Sequence, residues 1–198
     1  MSENTESKAG SVEPLTAERL ETLVAHLEGP SRRDRQSAAS ALAECARQDP
    51  ERLIPSVSAF VDALNRPEAQ TRWECLDVLT LLVPLDSRSC DKALPGAETA
   101  LFDEDSGPVR LAAMRFLCKL GATTESRSDR AWPLIDEAIQ CYHGDYEYQN
   151  MLSAVVEFSE GKLSSEVAAA LAARVAFDAE NGKGALKRKS QQIIDNLK

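Results

Sequence analysis

Arg110 is followed by Ala113, Leu117 and Leu120, at steps of 3, 7 and 10 residues. Apolar residues at such steps line one face of an α-helix. The same set recurs along the chain. Arg72 leads Cys75, Leu79 and Leu82, and Arg35 leads Ala38, Leu42 and Cys45. Gln149 leads Leu152 and Val156, with Ser159 as a weaker third member, and Lys187 leads Ser190, Ile194 and Leu197. The five lead residues stand 37, 38, 39 and 38 positions apart. A fixed period of this length marks a repeat architecture in which each copy is one small structural unit.

A second amphipathic helix precedes each of these. It carries Leu20, Leu23, Val24 and Leu27 in the first copy, and Val57, Phe60, Val61 and Leu64 in the second. Ile135, Ala138, Ile139 and Tyr142 repeat the spacing in the fourth copy, while the third (Leu94, Ala97, Leu101) and fifth (Leu171, Val175) are looser. Turn formers separate the two helices of each pair, as in Glu28-Gly29-Pro30, Asn65-Arg66-Pro67 and Asn181-Gly182. Thr16, Asp49 with Pro50, and Ser164 are placed to start helices. No segment alternates as a half-buried strand does. The expected fold is all-α: ten helices in five antiparallel pairs, stacked so that each pair buries what its neighbour leaves open. The expected organisation is a disordered tail over residues 1–14 and a single domain over 15–198, with repeats near 15–48, 49–84, 85–122, 123–160 and 161–198.

Pro108-Val109-Arg110 with Ala113, Leu117 and Leu120 resembles the second helix of a HEAT unit. Prolines early in first helices (Pro55, Pro95 and Pro133) resemble the same family, where that helix is bent. The resemblance covers about residues 15–198. It weakens where Gln149 and Lys187 replace the arginine and where the fifth first helix lacks proline, as in atypical end units. The family implies an armadillo-like, right-handed α–α superhelix with the second helices on its concave side. It also implies that Arg35, Arg72 and Arg110, continued by Gln149 and Lys187, form a structural ladder tying the loops of neighbouring repeats. The other reading of those arginines is a basic row that grips an anion.

On the second helices, positions one, two, five and eight after the lead residue are expected to face solvent. These include Gln36, Ser37 and Ser40, then Trp73, Glu74 and Asp77, then Leu111, Ala112 and Arg115. Asn150, Met151, Ala154 and Glu157 follow, and then Arg188, Lys189, Gln192 and Asp195. Trp73, Leu111 and Met151 would be large apolar groups exposed in three consecutive copies, as at binding surfaces. A helix phase one residue off would make them core instead. With Glu74, Asp77 and Glu157 nearby, an apolar peptide carrying basic residues fits. The expected function is a non-catalytic scaffold for a protein or peptide partner. The alternatives are a HEAT-like enzyme, resembling a DNA alkylation-repair glycosylase or a bilin lyase, and an adaptor touching nucleic acid through Lys183–Lys189.

Charge bears on these alternatives. The net charge is −9, which disfavours nucleic acid as the main partner. Around the five second helices the local charge runs +2, −2, +3, −4 and +4 over residues 31–48, 67–84, 106–121, 143–160 and 183–198. Alternating sign favours the correct stacking order over slipped pairings. Each surface pair contributes only ~0–1 kcal/mol. Raising the salt is therefore expected to lower the melting temperature slightly, and a flat response from low to high salt would count against this role.

The five cysteines include no Cys-x-x-Cys pair, and the histidines, His26 and His143, stand alone. Structural thiols, no metal, no cofactor and a reducing, cytoplasmic compartment are the expectation. Residues 1–14 hold no apolar signal-type stretch, and no apolar run is long enough to span a membrane. No phosphate loop or Ser-His-Asp set is visible, and Asp103-Glu104-Asp105 reads as a solvated turn. A monomer or weak homodimer is expected.

Overall fold

A computed structural model describes residues 15–198, so the expected tail over 1–14 lies outside the described residues. The described chain forms ten α-helices and no strand. They are α1 (Ala17–Glu28), α2 (Arg32–Gln48), α3 (Val57–Ala63), α4 (Ala69–Cys90), α5 (Leu94–Leu101), α6 (Gly107–Gly121), α7 (Glu125–Cys141), α8 (Tyr148–Ser159), α9 (Ser165–Asn181) and α10 (Gly184–Asn196). The even-numbered helices are those led by Arg35, Arg72, Arg110, Gln149 and Lys187.

Local chemistry sets the boundaries. The hydroxyls of Thr16, Ser31, Ser106, Thr124 and Ser164 each accept from a backbone N–H three residues on, at the start of α1, α2, α6, α7 and α9. Asp49 makes no such bond; a 3₁₀ segment, Pro50–Ser56, takes over there and leads into α3. Pro55 lies in that segment, and Pro95 sits at the start of α5 behind another 3₁₀ turn, Asp91–Ala93. Pro95 thus falls where a missing N–H costs little, while Pro55 lies within its 3₁₀ segment. Pro133 lies inside α7. Pro84 bends α4, whose backbone leaves helical geometry at Asp86 (φ −148°, ψ 69°). The Asp86 carboxylate accepts from the Ser89 N–H at 3.1 Å and starts the last turn.

The even helices pack side by side in chain order, α2 on α4, α4 on α6, α6 on α8 and α8 on α10, with the odd helices layered behind them. One hydrophobic core runs through all of them, and Phe60, Phe116 and Phe158 are among its largest fully buried side chains. α7 lies against α6 more than against its own partner α8. Gly121 allows this, because a Cβ there would stand 2.8 Å from the Ala131 Cβ and 2.9 Å from the Phe158 ring. Gly161 plays a similar part after α8: a Cβ there would come within 2.6 Å of the Ala122 carbonyl oxygen. That carbonyl accepts the Lys162 N–H at 2.8 Å, a backbone bond between repeats.

Candidate functional site

The lead arginines sit at the starts of α2, α4 and α6, where turn carbonyls and helix-entry acids meet. Arg35 Nη1 donates to the Gly29 carbonyl of its own turn at 2.8 Å, and its Nε donates to Glu68 Oε2 at 3.2 Å. Its Nη2 also bonds Glu68, the residue that opens α4. Arg110 repeats this arrangement. Nη1 donates to the Asp103 carbonyl at 2.8 Å, Nε and Nη2 bond Glu147 ahead of α8, and the guanidinium stacks 5.2 Å from the centre of the Tyr142 ring. Arg72 Nη1 donates to Asp103 Oδ2 at 2.6 Å, while its buried Nε finds no partner among the described residues. The Arg35 guanidinium holds the Glu68 carboxyl below its usual range. At Glu147 burial pushes upward, but the bonds from Arg110 and a backbone N–H outweigh it and the value falls.

The last two lead residues behave differently. Lys187 Nζ donates to the Glu180 carbonyl of its own turn at 2.9 Å. Gln149 is exposed, and its carbonyl accepts from Lys189 Nζ, which also reaches Ser153 Oγ at 2.7 Å. The partner acids Glu68 and Glu147 have no reading in the sequence, and Asp103, expected in a solvated turn, is instead largely buried in its ion pair with Arg72. Their signal is positional, since each stands in the stretch just ahead of the next even helix.

On the solvent side, α4 shows Trp73, Asp77 and Leu81, and α6 shows Leu111, Arg115 and Lys119. These are positions one, five and nine after the lead arginine. Trp73 and Leu111 are half-buried, with their bodies packed against the core. Met151 corrects the expectation: it is 1% exposed and belongs to the core. Ala112 and Ala154, also expected outside, are buried at 3% and 6%. The cause is geometric. An interior even helix has an even neighbour on either side and odd helices behind it, so a single row of side chains is left open. Position two points into the seam between neighbours. That position is exposed at α2, as Ser37, and half-buried at α4 and α10, as Glu74 and Lys189. On α8 the open row is Asn150, Ser153 and Glu157, with Glu160 just past the helix end.

Arg115, Asn150 and Glu157 line one pocket of about 340 Å³, with Thr80 and Ser153. Beside it a second pocket of about 300 Å³ is walled by Pro84, Lys119, Glu157 and Glu160. Gln36, Ser37 and Ser40 border a shallow depression of about 660 Å³ over α2. Glu74 and Asp77 lie on α4 between Arg47 and Arg115. Both carboxyls stand above their ordinary values; desolvation is the largest cause, and Arg47 with hydrogen bonds from Ser40 and Trp73 at Glu74, and Arg115 with Arg47 at Asp77, pull back only in part. Neither makes an ion pair within 4.0 Å among the described residues.

An acid whose folded value exceeds its unfolded one is ionised at a cost in the folded state. That cost is absent below the unfolded value, near 3.8 for aspartate, and is fully present above the folded one. Asp77→Asn is therefore expected to raise the melting temperature at pH 7, with the gain shrinking as the pH falls through the raised folded value and gone below the unfolded value of 3.8. Thermal melts of both proteins at pH 7 and pH 3.5 check this. A lower melting temperature for the variant at pH 7 would show that the carboxylate holds a structural bond instead.

Burial raises the Cys75 and Cys118 thiols and pushes Cys90 up to about 12, so these three behave as packing groups; Cys141 is exposed. Among the described residues no three His, Cys, Asp or Glu side chains gather as a metal site, and no helix is long and apolar enough to cross a membrane.

No family model and no curated protein matches the sequence. Solved structures do. A designed armadillo repeat protein in complex with the peptide (KR)4 superposes with a TM-score of 0.75 at 14% identity, covering 91% of this chain and 82% of that one. A computationally designed armadillo repeat protein for modular peptide recognition gives 0.74 at 14% identity, over 91% and 83%. An engineered protein gives 0.72 at 15% identity, over 91% and 79%. With its helix pairs stacked in register, the chain has an armadillo/HEAT-like repeat-solenoid fold.

Proposed function

We propose that the chain is a non-catalytic scaffold, one domain over residues 15–198, that binds an extended peptide carrying basic residues. The peptide lies along the concave face formed by the even helices. One observation carries this reading. Trp73, Glu74 and Asp77 offer a half-exposed indole beside two carboxylates that are desolvated yet unpaired. A ligand guanidinium or ammonium stacked on Trp73 gains a cation–π contact and supplies the ion pair that both carboxylates lack. Groups kept at a cost in the free protein are what a partner compensates. Two similar structures are designed armadillo repeat proteins, one for modular peptide recognition and one in complex with a peptide of alternating lysine and arginine, which is the chemistry expected over α4.

Fluorescence anisotropy with a labelled (KR)4 peptide tests the proposal. Wild type is expected to bind at low salt, and Glu74→Gln/Asp77→Asn to bind about 10–100-fold more weakly. Trp73→Ala is expected to weaken binding while the protein stays folded. Equal affinity of wild type and the double variant, or no binding by wild type, would remove the proposal.

A further inference from the structure

The signs of the open rows alternate from helix to helix. α4 presents Asp77, with the half-buried Glu74 at the seam beside it, α6 presents Arg115 and Lys119, and α8 presents Glu157, with Glu160 just past its end. If these charges served only to glue neighbouring helices, they would be paired across the seams. They are not: among the described residues one contact joins them, Lys119 to Glu157, at the 4.0 Å limit and well exposed. The pairs that do bridge the even helices lie at their starts and use the lead arginines instead. The charged rows are thus left for a ligand, and the α6 row opposes the cation that the α4 row favours.

We infer that the bound segment is an extended peptide whose charge alternates about every third residue: basic over α4, acidic over α6 and basic over α8. The spacing follows from geometry. Packed helices lie about 8–10 Å apart, and an extended chain advances about 3.3 Å per residue, so one helix is crossed every three residues or so. A lysine or arginine meets Glu74 and Asp77, an acid three residues on meets Arg115 and Lys119, and a second basic residue meets Glu157 and Glu160. Exposed pairs of this kind contribute little singly, so the pattern acts on register and selectivity more than on affinity. This inference rests on the proposed peptide-binding function and names its ligand.

The test compares three peptides by anisotropy: one with the pattern Lys-x-x-Glu-x-x-Lys, one of identical composition with the order Lys-x-x-Lys-x-x-Glu, and an all-basic peptide of equal length. Serine and alanine fill the spacers. Wild type is expected to bind the alternating peptide about tenfold more tightly than either of the others. Arg115→Glu/Lys119→Glu changes two solvent-facing side chains and turns the α6 row acidic. That variant is expected to reverse the preference toward the all-basic peptide. Equal binding of the two isomeric peptides, or an unchanged preference in the variant, would overturn the alternating register. If the all-basic peptide still bound and still needed Glu74 and Asp77, the scaffold reading would survive that loss. Failure of all three peptides to bind would remove both.

Discussion

Phe116→Ala is expected to lower the free energy of unfolding by about 3–5 kcal/mol. Phe116 is fully buried in α6, the middle even helix, which packs on α4, α5, α7 and α8 together. The removed ring leaves a cavity shared by several helices, and the packed surroundings relax only in part. Position in the array adds to the effect. In a stacked repeat each unit is held mainly by its neighbours, so a defect in the central unit weakens the coupling on both sides. Leu23→Ala, in α1 at one end, deletes buried atoms that have neighbours on one side only. Urea unfolding followed by circular dichroism gives the two losses. Phe116→Ala is expected to show the larger loss and a broader, less cooperative transition, since the two halves can then open separately. If Phe116→Ala unfolded in one sharp step with a loss below about 1 kcal/mol, α6 would not be the keystone its packing indicates.

The fold was legible in the sequence because it is written five times. The step of 3, 7 and 10 residues after each lead residue places Ala38, Leu42 and Cys45, or Ala113, Leu117 and Leu120, in the core, and all of these are buried. Phase errors average out over copies, and turn residues such as Gly29 and Pro67 punctuate each pair. The candidate face was legible only in part. Whether a residue at the flank of a helix is exposed depends on which helices stand beside it, and one helix's periodicity carries no record of its neighbours. Ser37, Glu74, Ala112 and Met151 share one sequence offset, yet they run from exposed through half-buried to buried along the array. The acids that meet the arginines were hidden for a related reason. Glu68, Asp103 and Glu147 lie 33, 31 and 37 residues beyond their partners, because the intervening turns differ in length and the side chains absorb the difference. The bend at Pro84 and the close seat of α7 on Gly121 likewise depend on three-dimensional neighbours.

Met151 and Asn150 turn this distinction into a measurement. They are adjacent on α8, yet Met151 is 1% exposed while Asn150 borders the pocket shared with Arg115 and Glu157. Truncating a fully buried methionine removes a long apolar chain from close packing, so Met151→Ala is expected to lose about 2–5 kcal/mol. Asn150→Ala is expected to stay within about 0.5 kcal/mol of wild type, since its side chain is exposed. The effects on peptide binding are expected to run the other way. At a temperature where both variants are folded, Met151→Ala retains affinity for the peptide, because its side chain touches the core and not the ligand. Trp73→Ala, two repeats earlier on α4, is expected to lose affinity with a smaller loss of stability, because its half-exposed indole is the proposed stacking platform. A Met151→Ala protein as stable as wild type but unable to bind would put α8 one residue out of phase. The open row of that helix would then be redrawn, and with it the third contact of the alternating peptide.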